Sequence, residues 1–131
     1  MERWLGKHAE LLYAVMRIVV GLLFACHGAQ KLFGALGARG PVSDPLLVTA
    51  GIIEFFGGGL IILGLWTGYA AFLASGLMAV AYFKGHASGG FWPIVNRGEL
   101  AALYCFVFLY MASRGSGRLS IDALARKTRR A

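Results

Sequence analysis

The sequence predicts an all-α fold: an integral-membrane four-helix bundle, antiparallel and up-down-up-down. Three observations carry this. The chain's 131 residues are 58% hydrophobic and 15% charged, whereas a soluble domain carries about a quarter charged residues; its mean hydropathy is +0.66. The apolar residues gather into four long runs separated by loop-forming stretches. None of these runs shows the strict alternation of a membrane β-barrel, and backbone N–H and C=O groups cannot stay open in hydrocarbon, so each run is predicted to be helical.

The elements follow in order. Residues 1–113 form the bundle, with spans over residues 11–33, 46–65, 67–84 and 99–113, and residues 114–131 form a basic cytoplasmic C-terminal tail. The first run resembles a signal peptide, since Arg3 and Lys7 precede it and Leu23-Phe24-Ala25-Cys26 approximates a lipoprotein cleavage box. Phe24 is bulky where such a site wants a smaller residue, and three more apolar runs follow, so an uncleaved span is expected. The second span is interrupted by Glu54 and Gly57-Gly58-Gly59. The fourth is the shortest and reaches span length only when Glu99 and the residues after Met111 join it. Gly34 to Pro45 reads as a loop, Trp66 and its neighbours as a tight turn, and Gly85 to Gly98, with Phe91, Trp92 and Pro93, as an interfacial loop. Ser120 is expected to start a short interfacial helix with Leu119 and Leu124 on the lipid side, and Arg126 to Ala131 a disordered basic end.

The net charge is +7. Such a charge on a soluble protein points to nucleic acid, but no nucleic-acid-binding motif is present, and Arg114, Arg118, Arg126, Lys127, Arg129 and Arg130 follow the last apolar run. A basic tail beside apolar spans reads as a topology signal and a contact for anionic headgroups. With four spans both ends share a side holding these six and Arg3 and Lys7, while Lys31, Arg39, Lys84 and Arg97 lie opposite. The sequence therefore predicts a multi-pass protein of the bacterial cytoplasmic (inner) membrane with both termini cytoplasmic.

Ionisable residues then fall at one level. His27 lies about 9 Å inside the outer end of the first span, and Glu54 about 12 Å deep in the second, at roughly 1.5 Å per residue. His86 ends the third span and Glu99 begins the fourth. His27, Gln30 and Lys31 are three and four apart and share a face. Glu54 is too short to snorkel from its depth, and intramembrane acids mark functional sites; the bland alternative is a satisfied polar network that fixes helix register. A Lys31–Glu54 pair with His27 alongside is the favoured arrangement, and a His86–Glu99 pair would close the outer mouth. Arg17 is expected to snorkel to the inner headgroups. Glu54 and His27 are the candidate catalytic residues; Lys31, Gln30, His86, Glu99, Trp92 and Tyr82 are candidate ligand-binding residues. Phe24, Phe56, Tyr82, Phe91, Trp92 and Tyr104 are expected to form an apolar wall.

The cofactor stays unidentified at this point, with quinone the favoured one. A haem with His27 and His86 as axial ligands, or a metal on two His and two Glu, ranks behind it, and no local His spacing supports zinc. Cys26 and Cys105 form no CxxC motif and read as small buried hydrophobes, with a redox pair as the alternative.

The motifs R-x-x-x-G-x-x-F-x-x-H-G-x-x-K-L from Arg17 to Leu32 and I-E-F-F-G-G from Ile53 to Gly58 are followed by A-Y-F-x-x-H from Ala81 to His86. Then come G-F-W-P-x-x-N-x-G-E from Gly90 to Glu99 and G-x-G-R-L-S-I-D from Gly115 to Asp122. In this order they resemble the DoxX family of small four-span bacterial membrane proteins, related to the DoxD subunit type. The resemblance implies a four-helix membrane bundle and an association with quinone-linked or thiol-linked redox systems, including thiosulfate oxidation and oxidative-stress complexes. It carries His27, Lys31, Glu54, His86 and Glu99 over as site residues.

The function read from the sequence is a membrane subunit supporting quinone- or thiol-linked redox chemistry through a polar pocket in the outer half of the bundle. Whether the chain is itself an enzyme stays open. The alternatives are a non-enzymatic assembly partner of a redox enzyme and a small-molecule or ion permeation protein, which with four helices needs a homo-oligomer. The partners expected are the lipid bilayer, a soluble or membrane redox protein, and further copies of the chain.

Overall fold

The computed structural model describes residues 1–129. A short helix α1 (Glu2–Leu5) and a 3-10 turn (Gly6–His8) lead into α2 (Ala9–Phe33), followed by α3 (Pro45–Leu63) and α4 (Thr67–Gly85). A second 3-10 turn (Ala87–Gly89) and α5 (Pro93–Asn96) fill the next connection, and α6 (Glu99–Arg114) and α7 (Ile121–Thr128) complete the chain. The fold is all-α, with no strand among the described residues.

Helix ends follow from local chemistry. Gly34 takes the left-handed conformation at φ 63° and its N–H donates to the Gln30 carbonyl, stopping α2. The Asp44 carboxylate accepts from the N–H groups of Leu46 (2.9 Å) and Leu47 (3.1 Å), and Pro45 occupies the first helical position, so α3 has a complete N-terminal cap. Helix α3 ends at Leu63, short of residue 65, because Gly64 turns left-handed at φ 69° and the chain reverses through Trp66.

Helices α2 and α3 meet along a seam of small residues. A Cβ on Gly28 would lie 2.4 Å from the Phe55 nitrogen, and one on Gly58 2.6 Å from the Gly21 oxygen, so the backbones touch where only glycine fits. Contacts climb α2 from Gly21 to Lys31 as they descend α3 from Gly58 to Gly51, which makes this pair antiparallel. Helix α4 packs on α6, with Ala70, Ala71 and Ala74 buried in the core, and the Ser75 hydroxyl donates to the Cys105 carbonyl (2.8 Å). Phe24, Tyr104 and Phe108 form the aromatic centre, with Tyr104 stacked on Phe108 at 5.5 Å and Phe24 4.6 Å from Phe108.

The outside of the molecule is apolar. Phe56, Phe72, Phe83 and Phe106 are 61–72% exposed, along with a series of leucines and valines on all four long helices, far more than the scattered apolar residues of a water-facing surface. The segment Glu2–Phe33 (32 residues) and α3 (19 residues) are long and apolar enough to cross a membrane. The sequence predicts four such spans. Helix α6 has 16 residues, about 24 Å at 1.5 Å per residue against a hydrocarbon core of about 30 Å. Helix α4 has the length but dilutes its hydropathy with Gly, Ala, Ser and Thr.

One end of the molecule gathers the start of α2, the end of α6, the α3–α4 turn and α7. There the Tyr13 hydroxyl donates to the Gly115 carbonyl (2.6 Å), Arg114 pairs with Glu10 (2.7 Å), and Asp122 accepts from the Trp66 N–H (2.9 Å) and the Ser116 hydroxyl. Two expectations change here. Arg17 does not snorkel: it is 1% exposed, and its guanidinium donates to the carbonyls of Ile61, Ile62 (2.9 Å) and Leu119 (2.7 Å). The open carbonyls at the C-terminus of α3 draw the cation inward, and the tail supplies a further acceptor. Nor are Arg126 and Lys127 part of a disordered end, because α7 continues through Thr128, started by Ser120, whose hydroxyl accepts from the Ala123 N–H (3.1 Å). Arg130 and Ala131 lie outside the described residues.

Candidate functional site

At the opposite end, a cavity of about 240 Å³ opens between the helices. It is lined by Phe24, His27 and Lys31 of α2, Glu54 of α3, Met78 and Ala81 of α4, His86 and Arg97 of the following connection, and Leu100, Ala101 and Tyr104 of α6.

Its centre is an ion pair. The Lys31 ammonium donates to both oxygens of Glu54, at 2.7 and 2.5 Å. The Glu54 side chain is 5% exposed and that of Lys31 26%. The pair forms because Gly51, facing the base of Lys31, lets α2 and α3 close to contact, with the Lys31 Cβ only 3.0 Å from where a Gly51 side chain would start. A buried pair repays its desolvation only when its geometry is good, and either member left alone is strongly destabilising. Lys31 has three N–H donors, so one remains for the cavity.

Two histidines flank the pair. His27 presents its ring edge-on to Tyr104 at 6.5 Å, and its nitrogens take no protein partner among the described residues. His86 caps the end of α4, with Nδ1 3.2 Å from the Asn96 carbonyl. A carbonyl only accepts, so Nδ1 carries a proton and donates it to Asn96, leaving the Nε2 side of the ring toward the cavity.

The other candidates lie elsewhere. Gln30 turns its amide to the Leu36 carbonyl (3.1 Å), tying down the loop after α2. Glu99 is exposed in the first turn of α6, where the helix N-terminus favours an acid. It is not among the lining residues, and the His86–Glu99 pair does not form, His86 being held by the Asn96 carbonyl. The Tyr82 hydroxyl accepts from the Asn96 amide (3.2 Å) and serves the loop. Trp92 is exposed, edge-on to Phe91, and Phe56 faces outward, so of the expected aromatic wall only Phe24 and Tyr104 reach the cavity. The metal arrangement on two His and two Glu loses Glu99, and no three His, Cys, Asp or Glu side chains converge among the described residues. Cys26 and Cys105 are both free thiols.

Two residues at the mouth are not among the candidate site residues read from the sequence, although Asn96 falls at a fixed position of the motif from Gly90 to Glu99. Asn96 is buried and donates to the Gly90 carbonyl (2.8 Å) while its side-chain oxygen accepts from the Gly98 N–H (2.8 Å). It thereby sets the conformation of Arg97, a non-glycine residue at φ 60°, which lines the cavity. In the sequence Arg97 reads as a topology charge; its backbone conformation is not visible there.

An apolar exterior around a small polar chamber with a buried ion pair defines a class: a helical membrane protein with an internal polar site. The DoxX family profile matches residues 12–87, a stretch covering α2 to α4 with His27, Lys31, Glu54 and His86, and the chain belongs to the DoxX family. It is 44% identical over 125 residues to a protein of Haemophilus influenzae described as uncharacterized, the alignment covering 90% of this chain and 93% of that one. A second uncharacterized Haemophilus influenzae protein is 32% identical over 68 residues, covering 52% of this chain and 45% of the relative. No solved structure matches.

Proposed function

We propose that the chain is an antiparallel four-helix bundle spanning the bacterial cytoplasmic membrane, termini inside, that supports quinone- or thiol-linked redox chemistry in the cavity beneath its outer surface. The observation that carries this is the Lys31–Glu54 pair held in a chamber shared with two histidines. Intramembrane charges are retained for function more often than for stability. Apolar outer faces on α4 and α6 support their crossing beside α2 and α3, and the shortness of α6 needs only modest bilayer thinning. The start of α2 and helix α7 lie at one end together with Arg114, Arg118, Arg126 and Lys127, which supports a cytoplasmic placement of that end.

The cavity suits the headgroup of a quinone. At about 240 Å³ it falls just below the roughly 300–1,000 Å³ of sites enclosing drug-sized ligands, so it admits a single ring with its tail in lipid and is too small to enclose a haem. The remaining Lys31 donor and Arg97 would hold a carbonyl oxygen, and Phe24 and Tyr104 would face the ring. A quinone supplies two-electron, two-proton chemistry; Glu54 and His27 would hold and pass protons at its rim. The test is lipid extraction and absorption spectroscopy of mildly solubilised protein. Co-purifying quinone that is lost in Glu54→Gln and Lys31→Met supports the reading. Neither bound quinone nor a redox-active partner overturns it.

The exposed cluster of Phe91, Trp92, Ile94 and Val95 beside the cavity mouth favours a second reading, an assembly surface for a redox enzyme. Capture of an oxidoreductase that depends on Trp92 but not on Glu54 would select it.

A further inference from the structure

The end of the molecule away from the cavity carries a feature the redox reading leaves unused. Helix α7 is docked there by its first turn: the Asp122 N–H donates to the Gly64 carbonyl (3.1 Å) and its carboxylate takes the Trp66 N–H. Its first turn therefore sits against the α3–α4 junction. Ile121 and Leu124 are exposed on one side, Arg126 lies on the other, and Lys127, three residues after Leu124, sits at the border between them, as in an interfacial helix. Gly117 and Arg118 face that basic side across a hollow of about 480 Å³, whose floor is Ala123.

The charges in this hollow are unmatched. Of the two neighbouring acids, Glu10 is engaged by the Arg114 guanidinium and the Arg118 N–H, and Asp122 by Trp66 and Ser116. Arg118, Arg126 and Lys127 are exposed and make no ion pair among the described residues. The aromatic rings of Trp66 and Tyr69, 64% and 84% exposed, mark the same level as an interface. We infer that the hollow bounded by Arg118, Ala123, Arg126 and Lys127 binds the phosphate headgroup of an anionic phospholipid of the surrounding leaflet. Three cations around a small floor recognise a phosphodiester, and the exposed Ile121 and Leu124 would lie along its acyl chains. The inference rests on the membrane reading but not on the cavity or its chemistry.

The full chain, first recovered from the membrane fraction, would be placed in zwitterionic nanodiscs and titrated with phosphatidylglycerol, phosphatidylcholine or inorganic phosphate, with bound lipid counted by native mass spectrometry. Phosphatidylglycerol should bind in preference. The triple variant R118Q/R126Q/K127Q should lose about fivefold for each cation, roughly a hundredfold in all, the worth of basic residues at an anionic surface. The variant R39Q/K84Q, which removes cations from the other end, should bind as the parent does. Equal binding of phosphatidylcholine, equal losses in the two variants, or saturation by inorganic phosphate at the same concentrations would each overturn the site. Absence from the membrane fraction would instead overturn the membrane reading.

Discussion

Replacing Arg17 by Met tests the inward-facing guanidinium most directly. Met keeps much of the side-chain volume and removes every donor. The Ile61 carbonyl keeps the Gly64 N–H (3.2 Å). The Ile62 carbonyl has no such reserve, because its natural helical partner, the Trp66 N–H, donates to Asp122 instead. The Leu119 carbonyl also loses the guanidinium, and the Ala123 N–H that could replace it goes to the Ser120 hydroxyl. Two stranded carbonyls cost about 1–3 kcal/mol each. Relief of guanidinium burial, including its unpartnered Nε, offsets part of that, leaving a net loss of about 3 kcal/mol by the same scale. The tail should loosen with it, since the Leu119 contact is lost. Thermal unfolding in mild detergent should show a lower midpoint, and trypsin should cut faster after Arg118. Arg17→Lys should fall between, one ammonium spanning fewer carbonyls than a guanidinium fork. An unchanged midpoint together with unchanged tail cleavage would mean that Arg17 reaches the headgroups after all.

Three further outcomes are expected. Glu54→Gln and Lys31→Met should each destabilise by about 2–4 kcal/mol, less than the full cost of breaking a buried pair because Lys31 is partly open, while the double variant should lose less than the sum; additive losses in detergent unfolding would show that the two do not act as a pair. Gly28→Ala places a methyl group against the α3 backbone and should cost at least about 3 kcal/mol or prevent folding. Gly57→Ala, with nothing within 4 Å, should be neutral or stabilising by up to about 1 kcal/mol; similar expression and melting of the two would contradict the seam. Asn96→Ala removes the bonds that order the connection after α4, so hydrogen exchange should accelerate across residues 87–98 and not in α2 or α3; protection unchanged in that segment would refute its role.

What the sequence by itself determined is what depends on composition and on distance along a helix. An excess of apolar residues in four runs dictates helices with greasy exteriors, because backbone polarity has no other solution in lipid. Rise per residue alone brings His27 and Glu54 to a similar depth, with Lys31 one turn nearer the surface, and the small residues around Gly51 and Gly58 let the helices close until the long Lys31 side chain reaches Glu54. The tertiary structure decided whatever turns on a partner distant in the chain or on a dihedral angle. Arg17 looks like a snorkelling cation until the α3 carbonyls and the returning tail appear beside it, some 44 and 102 residues away. Glu99 and His86 are near in depth, yet the Asn96 carbonyl takes the imidazole and leaves the carboxylate outside. Arg97 enters the cavity only because its backbone is held left-handed, a choice made by the amide of Asn96 and written in no pattern of hydrophobicity or charge.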